Sequence, residues 1–166
     1  MTLRKYIYSI VAFVILLIST GHVLAQDDRG KTRDTATPIK DSKVTDDLDG
    51  TEDQFFYKFT ATAGTVKIKF EVEAAETNAG ATFFVYDSRS RPLLSDILVQ
   101  GVDKGTEEVV KSIKLTKQQD IVIRVKGIKY GESGGRGTYT ITLDGAVDKG
   151  EKPAPPDNKD GNMGGR

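Results

Sequence analysis

The chain contains no cysteine and no tryptophan, and its single histidine is His22, near the N-terminus. The missing thiols exclude disulfide staples, a cysteine nucleophile and thiolate zinc sites. If His22 is removed with a leader, the mature chain has no imidazole either. The Ser-His-Asp and Cys-His constellations are then excluded, along with the side chain most used for proton transfer near neutral pH. An excess of one charge is also missing: 24 basic residues balance 24 acidic ones. Nucleic-acid binding needs concentrated positive charge, so no nucleic-acid partner is expected. The sequence carries no G-x-S-x-G, phosphate-loop or dinucleotide-binding motif, and no segment shows a helical apolar stripe.

What is present begins with a leader. Arg4 and Lys5 precede an almost wholly apolar run from Ile7 to Ile18, and Val23-Leu24-Ala25 follows before Gln26. Short residues at the minus-three and minus-one places predict a signal peptide over 1–25, cut after Ala25. Removing Arg4 and Lys5 takes the formal net charge from zero to about −2. The alternative is a retained membrane anchor, but the run is shorter than the roughly 20 residues of a spanning helix. No cysteine stands ready for lipid attachment. The expectation is a periplasmic or secreted protein without stable membrane insertion after cleavage.

The mature chain divides into three. Residues 26–40 are polar and aperiodic, and read as a flexible N-terminal arm. Residues 146–166, with Pro153, Pro155 and Pro156 among Asp, Asn and Gly, read as a disordered tail. Between them, 41–145 is written in period two. In Thr65–Glu73, Val66, Ile68, Phe70 and Val72 alternate with Lys67, Lys69, Glu71 and Glu73, the pattern of a strand with one face in water. Gln54–Thr60 precedes it, with a turn expected at Ala61–Gly64. Further strands are expected at Ala81–Tyr86, Leu93–Val99, Glu107–Leu115, Ile121–Lys126 and Thr138–Leu143, with a short one near Ser42–Thr45. Seven to eight short strands predict an all-β antiparallel β-sandwich or jelly roll.

The run DDLDGTEDQFFYKFTATAGTVKIKF, the strand ATFFVYDSRSRPLL with its Tyr-Asp turn, the strand IVIRVKG and the closing GTYTITL together resemble the bacterial pre-peptidase C-terminal domain. The resemblance spans about Lys40 to Asp144. It implies a β-sandwich module of the kind appended to secreted proteases and collagenases, with a binding or secretion-related role. It also implies that calcium, collagen or carbohydrate could be ligands, since some relatives bind each.

Two segments stand out as candidate sites. Asp46, Asp47, Asp49, Glu52 and Asp53 crowd around Gly50. Calcium takes six to eight oxygen ligands, and Asp47, Asp49, Glu52 and Asp53 are the candidate metal ligands. The twelfth position from Asp47 is Lys58, so this is not an EF-hand. The alternative is an acidic surface turn whose carboxylates cap the backbone. The second segment, Lys126–Thr138, is rich in glycine. Tyr130 and Arg136 within it are side chains favoured at recognition surfaces. The alternative is a long hairpin connection with Tyr130 packed on the sheet. Of the adjacent Phe55 and Phe56, one must face outward, because neighbours on a strand point to opposite sides.

These features predict a protein that is not an enzyme. The expected role is an exported binding or accessory domain, with calcium as its candidate cofactor, that recognises a protein or carbohydrate partner in the envelope or extracellular space. Two alternatives remain: a structural or assembly protein of the envelope, and a small hydrolase acting through paired carboxylates.

Overall fold

A computed structural model describes residues 30–75, 77–131 and 135–148. The expected leader, most of the expected tail and residues 26–29 lie outside them. The described chain forms eight strands: β1 (Thr37–Pro38), β2 (Lys43–Asp49), β3 (Gln54–Ala74), β4 (Asn78–Asp87), β5 (Pro92–Val102), β6 (Thr106–Leu115), β7 (Gln119–Gly127) and β8 (Arg136–Val147). All pair antiparallel except β1, which lies parallel to β3. The all-β antiparallel architecture is the one expected.

The long β3 organises two layers. Its first half pairs with β7, which pairs with β4, which pairs with β5. Its second half lies between β6 and β8, and β2 flanks β8. The expected turn at Ala61–Gly64 is therefore a bend within one strand. Tyr57, Phe59 and Ala61 point inward before it, and Val66, Ile68, Phe70 and Val72 after it. The inward set changes from odd to even numbers, as it must when a strand leaves one layer and joins the facing one. The register shifts at this point. Gly64, with φ of 137°, supplies a conformation that side chains rarely permit.

The core lies between the layers. Phe70 of β3 packs against Phe83 of β4 at 4.6 Å between ring centroids, and Phe83 meets Tyr139 of β8 edge-on at 6.2 Å. Ile121, Ile123 and Val125 of β7 and Val99 of β5 fill the space around them. Lys67, Lys114 and Glu73 stay exposed on the outer side of the second layer. This is the alternation read from the sequence.

Two expected boundaries move. Residues 30–40 are packed, not loose. β1 extends the first layer, Ala36 is buried, and the Ile39 amide donates to the Lys58 carbonyl at 2.9 Å. The segment contains few apolar residues, but its backbone is tied by this short parallel pairing and by turn bonds such as Gly30 N–H to the Thr35 carbonyl. At the other end β8 runs to Val147, and the Asp148 amide donates to the Thr60 carbonyl at 2.9 Å. The domain thus continues past 145.

The turn after β4 is built on a buried carboxylate. The Asp87 side chain is 2% exposed. It accepts hydrogen bonds from the Arg89 and Arg91 amides and from the Arg91 side chain. The Arg91 amide, ahead of its guanidinium and the Arg89 amide, holds the Asp87 carboxyl below the usual carboxylate value despite the burial. A depressed value means the carboxylate contributes stability above its unfolded pKa, near 3.8, and loses it as pH falls through the folded value. Asp87→Ala is therefore expected to be less stable than wild type in urea at neutral pH. That gap should shrink steadily once the pH drops below about 3.8. A gap unchanged down to pH 2 would remove the carboxylate from the account of this turn.

Candidate functional site

An open groove of about 980 Å³ lies where the N-terminal segment meets the first layer. β1 and the following turn bring Pro38, Ile39, Lys40, Asp41 and Ser42. β3 brings Lys58, Phe59 and Thr60, β7 brings Asp120, and the end of β8 brings Val147 with Asp148 beyond it. Ile39, Phe59 and Val147 pack on the core side, while Lys40, Lys58 and Asp120 are exposed. Thr60 donates its hydroxyl to Asp120 at 2.8 Å, which fixes that carboxylate at the wall. The groove thus offers apolar contact beside polar groups of both signs.

The outer face of the first layer continues from this groove. Val122 lies opposite both Lys58 and Tyr86, and Arg124 lies opposite both Phe56 and Phe84. The rings of Phe84 and Tyr86 are nearly parallel, 12° apart, with centroids 6.4 Å apart. The Arg124 guanidinium sits 3.9 Å from the Phe84 centroid. Arg33 reaches from the N-terminal segment to lie 5.8 Å from the Tyr86 centroid, and donates to the Asp87 carbonyl. Phe55 and Phe56 are both half-buried. Phe55 turns inward to Tyr139, so Phe56 is the outward one.

The expected metal ligands are not brought together. Asp49 accepts from the Thr51 amide and hydroxyl, which lower its pKa, the side-chain bond first. Glu52 pairs with Lys126 at 3.0 Å and Asp53 with Lys31 at 3.7 Å. Asp47 lines a separate shallow groove of about 360 Å³ with Leu48, Glu73 and Arg136. Among the described residues, no cluster of three or more histidine, cysteine or acidic side chains could hold a metal ion. The physical reason is local. Asp49, Glu52 and Asp53 each engage a separate local partner: Thr51, Lys126 and Lys31.

Asp46 has a role that its neighbours do not share. It faces the same side of β2 as the buried Leu48, and accepts from the Tyr57 hydroxyl at 2.8 Å. Tyr57 thereby spends its proton, so Tyr139, 2.5 Å away, donates to Tyr57. Burial pushes both phenols above the usual tyrosine range. The Asp46 carboxylate adds to the shift at Tyr57, and the neighbouring Tyr57 adds to it at Tyr139. This chain satisfies two hydroxyls that the aromatic core would otherwise strand.

Tyr130 and Arg136 do not share a surface. Tyr130 packs on the first layer, where Gln100 donates to its hydroxyl above Gly80. Arg136, at the start of β8, lines the shallow groove opposite Asp49 of β2. The residues that sequence reasoning passed over are Arg124, Phe84 and Tyr86. Their signal was parity. Phe84 and Tyr86 occupy the positions of β4 that alternate with the buried Phe83 and Val85, and Arg124 does the same between Ile123 and Val125.

No protein-family model matches the sequence, and no curated protein matches it. Among solved structures, the chain is similar to the pre-peptidase C-terminal domain of a collagenase from Bacillus anthracis. The two are 19% identical with a TM-score of 0.42, over 66% of this chain and 94% of that one. It is also similar to a periplasmic inhibitor of g-type lysozyme from Aeromonas hydrophila, 15% identical with a TM-score of 0.40, over 68% and 96% of the two chains. A family 35 carbohydrate-binding module from an environmental isolate is 12% identical with a TM-score of 0.39, over 60% and 71%. Among the described residues no helix is long and apolar enough to cross a membrane.

Proposed function

We propose that this is an exported, non-catalytic binding domain that holds a protein or carbohydrate ligand in the groove between its N-terminal segment and the first layer. The observation that carries the proposal is the groove itself. Its volume of about 980 Å³ is at the upper end of ordinary ligand sites, and it sets Ile39, Phe59 and Val147 beside polar groups of both signs. The groups with shifted acidity point the same way. Asp49, Tyr57, Lys69, Asp87 and Tyr139 are each explained by a turn, an ion pair or a buried hydroxyl chain, and none lines the groove. Export rests on the leader pattern of residues 1–25.

The test is a titration of the protein, expressed from its full coding sequence, against arrays of oligosaccharides and peptides. Lys58→Ala with Thr60→Ala is expected to weaken capture of the selected ligand about tenfold or more without changing the fold. Peptidase, esterase and glycosidase substrates should not turn over. Repeating the titration with calcium and with a chelator tests the acidic loop: dependence on calcium that Asp49→Asn abolishes would restore that loop as a metal site. Turnover that disappears with one carboxylate substitution would overturn the binding reading.

A further inference from the structure

The outer face beside the groove carries two guanidinium groups on two parallel rings, and neither pairs with a carboxylate among the described residues. Arg124 lies against Phe84 at 3.9 Å, and Arg33 lies over Tyr86 at 5.8 Å. The Arg124 Nε is buried and has no hydrogen-bond partner among the described residues, and the Phe84 ring lies against this half-buried cation. A guanidinium taken partly out of water ordinarily finds a carboxylate. Three acidic groups nearby are committed elsewhere. Glu52 holds Lys126, Asp120 accepts from Thr60, and Asp87 is enclosed in its own turn. Among the described residues, the row therefore presents positive charge without a paired carboxylate next to aromatic surface.

We propose that this row is a docking site for the carboxylates of an extended acidic peptide segment, with Arg124 as the principal contact and Arg33 as the second. This rests on the reading of the domain as a binding module and names the chemistry of its ligand. A ring-stacked guanidinium keeps in-plane N–H groups at its edge, the geometry that takes a carboxylate through two parallel hydrogen bonds. The two rings stand 6.4 Å apart. Same-side residues of an extended chain repeat at about 6.6 Å, close to this ring spacing, so glutamates or aspartates at alternate positions suit two cations each held beside one ring. Arg33 already gives one N–H to the Asp87 carbonyl, which leaves it the weaker of the two. The face is otherwise made of half-buried rings and Val122, against which the apolar parts of such a segment can rest.

The experiment uses the full chain and a fluorescent peptide of alternating glutamate and threonine, with the glutamine-threonine peptide and an oligogalacturonate as comparisons. Binding of the glutamate peptide is expected, with none of the glutamine peptide and little of the oligogalacturonate. Arg124→Gln should weaken it about tenfold or more, Arg124→Lys nearly as much because the planar fork is lost, and Arg33→Gln less. Lys111→Gln, on the exposed edge of β6, should leave it unchanged. A measurement on the unaltered protein guards against variants that fail to fold. The peptide should slow modification of Arg124 by phenylglyoxal, read by mass spectrometry. Equal losses in Arg124→Gln and Lys111→Gln, or no protection of Arg124, would overturn the proposal, as would binding of the oligogalacturonate in place of the peptide. If the peptide binds but only Lys58→Ala with Thr60→Ala weakens it, the ligand site at Arg124 fails while the binding-module reading survives. If no peptide or oligosaccharide binds at all, that reading fails with it.

Discussion

Phe70→Ala is expected to destabilise the domain by about 3–5 kcal/mol, the usual range for a fully buried aromatic. Phe70 is 0% exposed, and its ring meets Phe83 of the facing layer at 4.6 Å. It also lies in the half of β3 that pairs on both sides, opposite Val109 of β6 and Ile141 of β8. Neither neighbour can close the gap without breaking ladder bonds, so most of the void should persist. Lys67→Ala, three residues earlier on the exposed side of the same strand, should change stability by about 0.5 kcal/mol or less. Urea unfolding of the two variants beside wild type measures both. Similar midpoints for the two would mean that the layers do not pack through Phe70.

Gly137→Ala should cost about 3 kcal/mol, at the upper end of the overpacking range. A β-carbon there would fall 2.1 Å from the Glu73 carbonyl oxygen and 2.8 Å from the Ala79 β-carbon. The first clash is with backbone. Gly137 lies between Leu48 of β2 and Ala74 of β3 in the ladder, so relief requires strand separation. Gly131→Ala provides the contrast. Gly131 has φ of 61° and nothing within 4 Å of the added carbon. Its cost should be the left-handed backbone penalty alone, roughly 1–2 kcal/mol. Thermal unfolding distinguishes the two, and a Gly137 variant as stable as the Gly131 variant would show that β8 does not approach β3 this closely.

Both substitutions lie where the sequence pattern and the structure agree to different degrees. Phe70 was marked as core by alternation alone, because a strand with one wet face must bury every second residue. Gly137 gave no comparable signal. It stood in a run of glycines that read as a flexible connection, and its steric duty comes from a strand more than 60 positions earlier in the chain. The acidic loop is similar. Asp47, Asp49, Glu52 and Asp53 are close in sequence, and this suggested a shared cation. Glu52, Asp53 and Asp49 meet Lys126, Lys31 and the Thr51 hydroxyl instead, and the first of these is brought from another strand by pairing.

Local sequence determined the elements: which segments are strands, which face of each is wet, and that Asp87-Ser88-Arg89-Ser90 ends β4 in a turn. Those properties depend on side-chain alternation and on hydrogen bonds between near neighbours, and both are written along the chain. It also determined that cysteine-based chemistry is excluded, since a missing side-chain type cannot be restored by folding. Tertiary structure decided that β3 is one strand serving two layers, that residues 30–40 close the edge of the first, and that Arg124, Arg33, Phe84 and Tyr86 share a face. Each of these is a pairing between distant segments. Its free energy comes from register and burial across the layers, and alternation within one strand fixes its own faces without naming its neighbour.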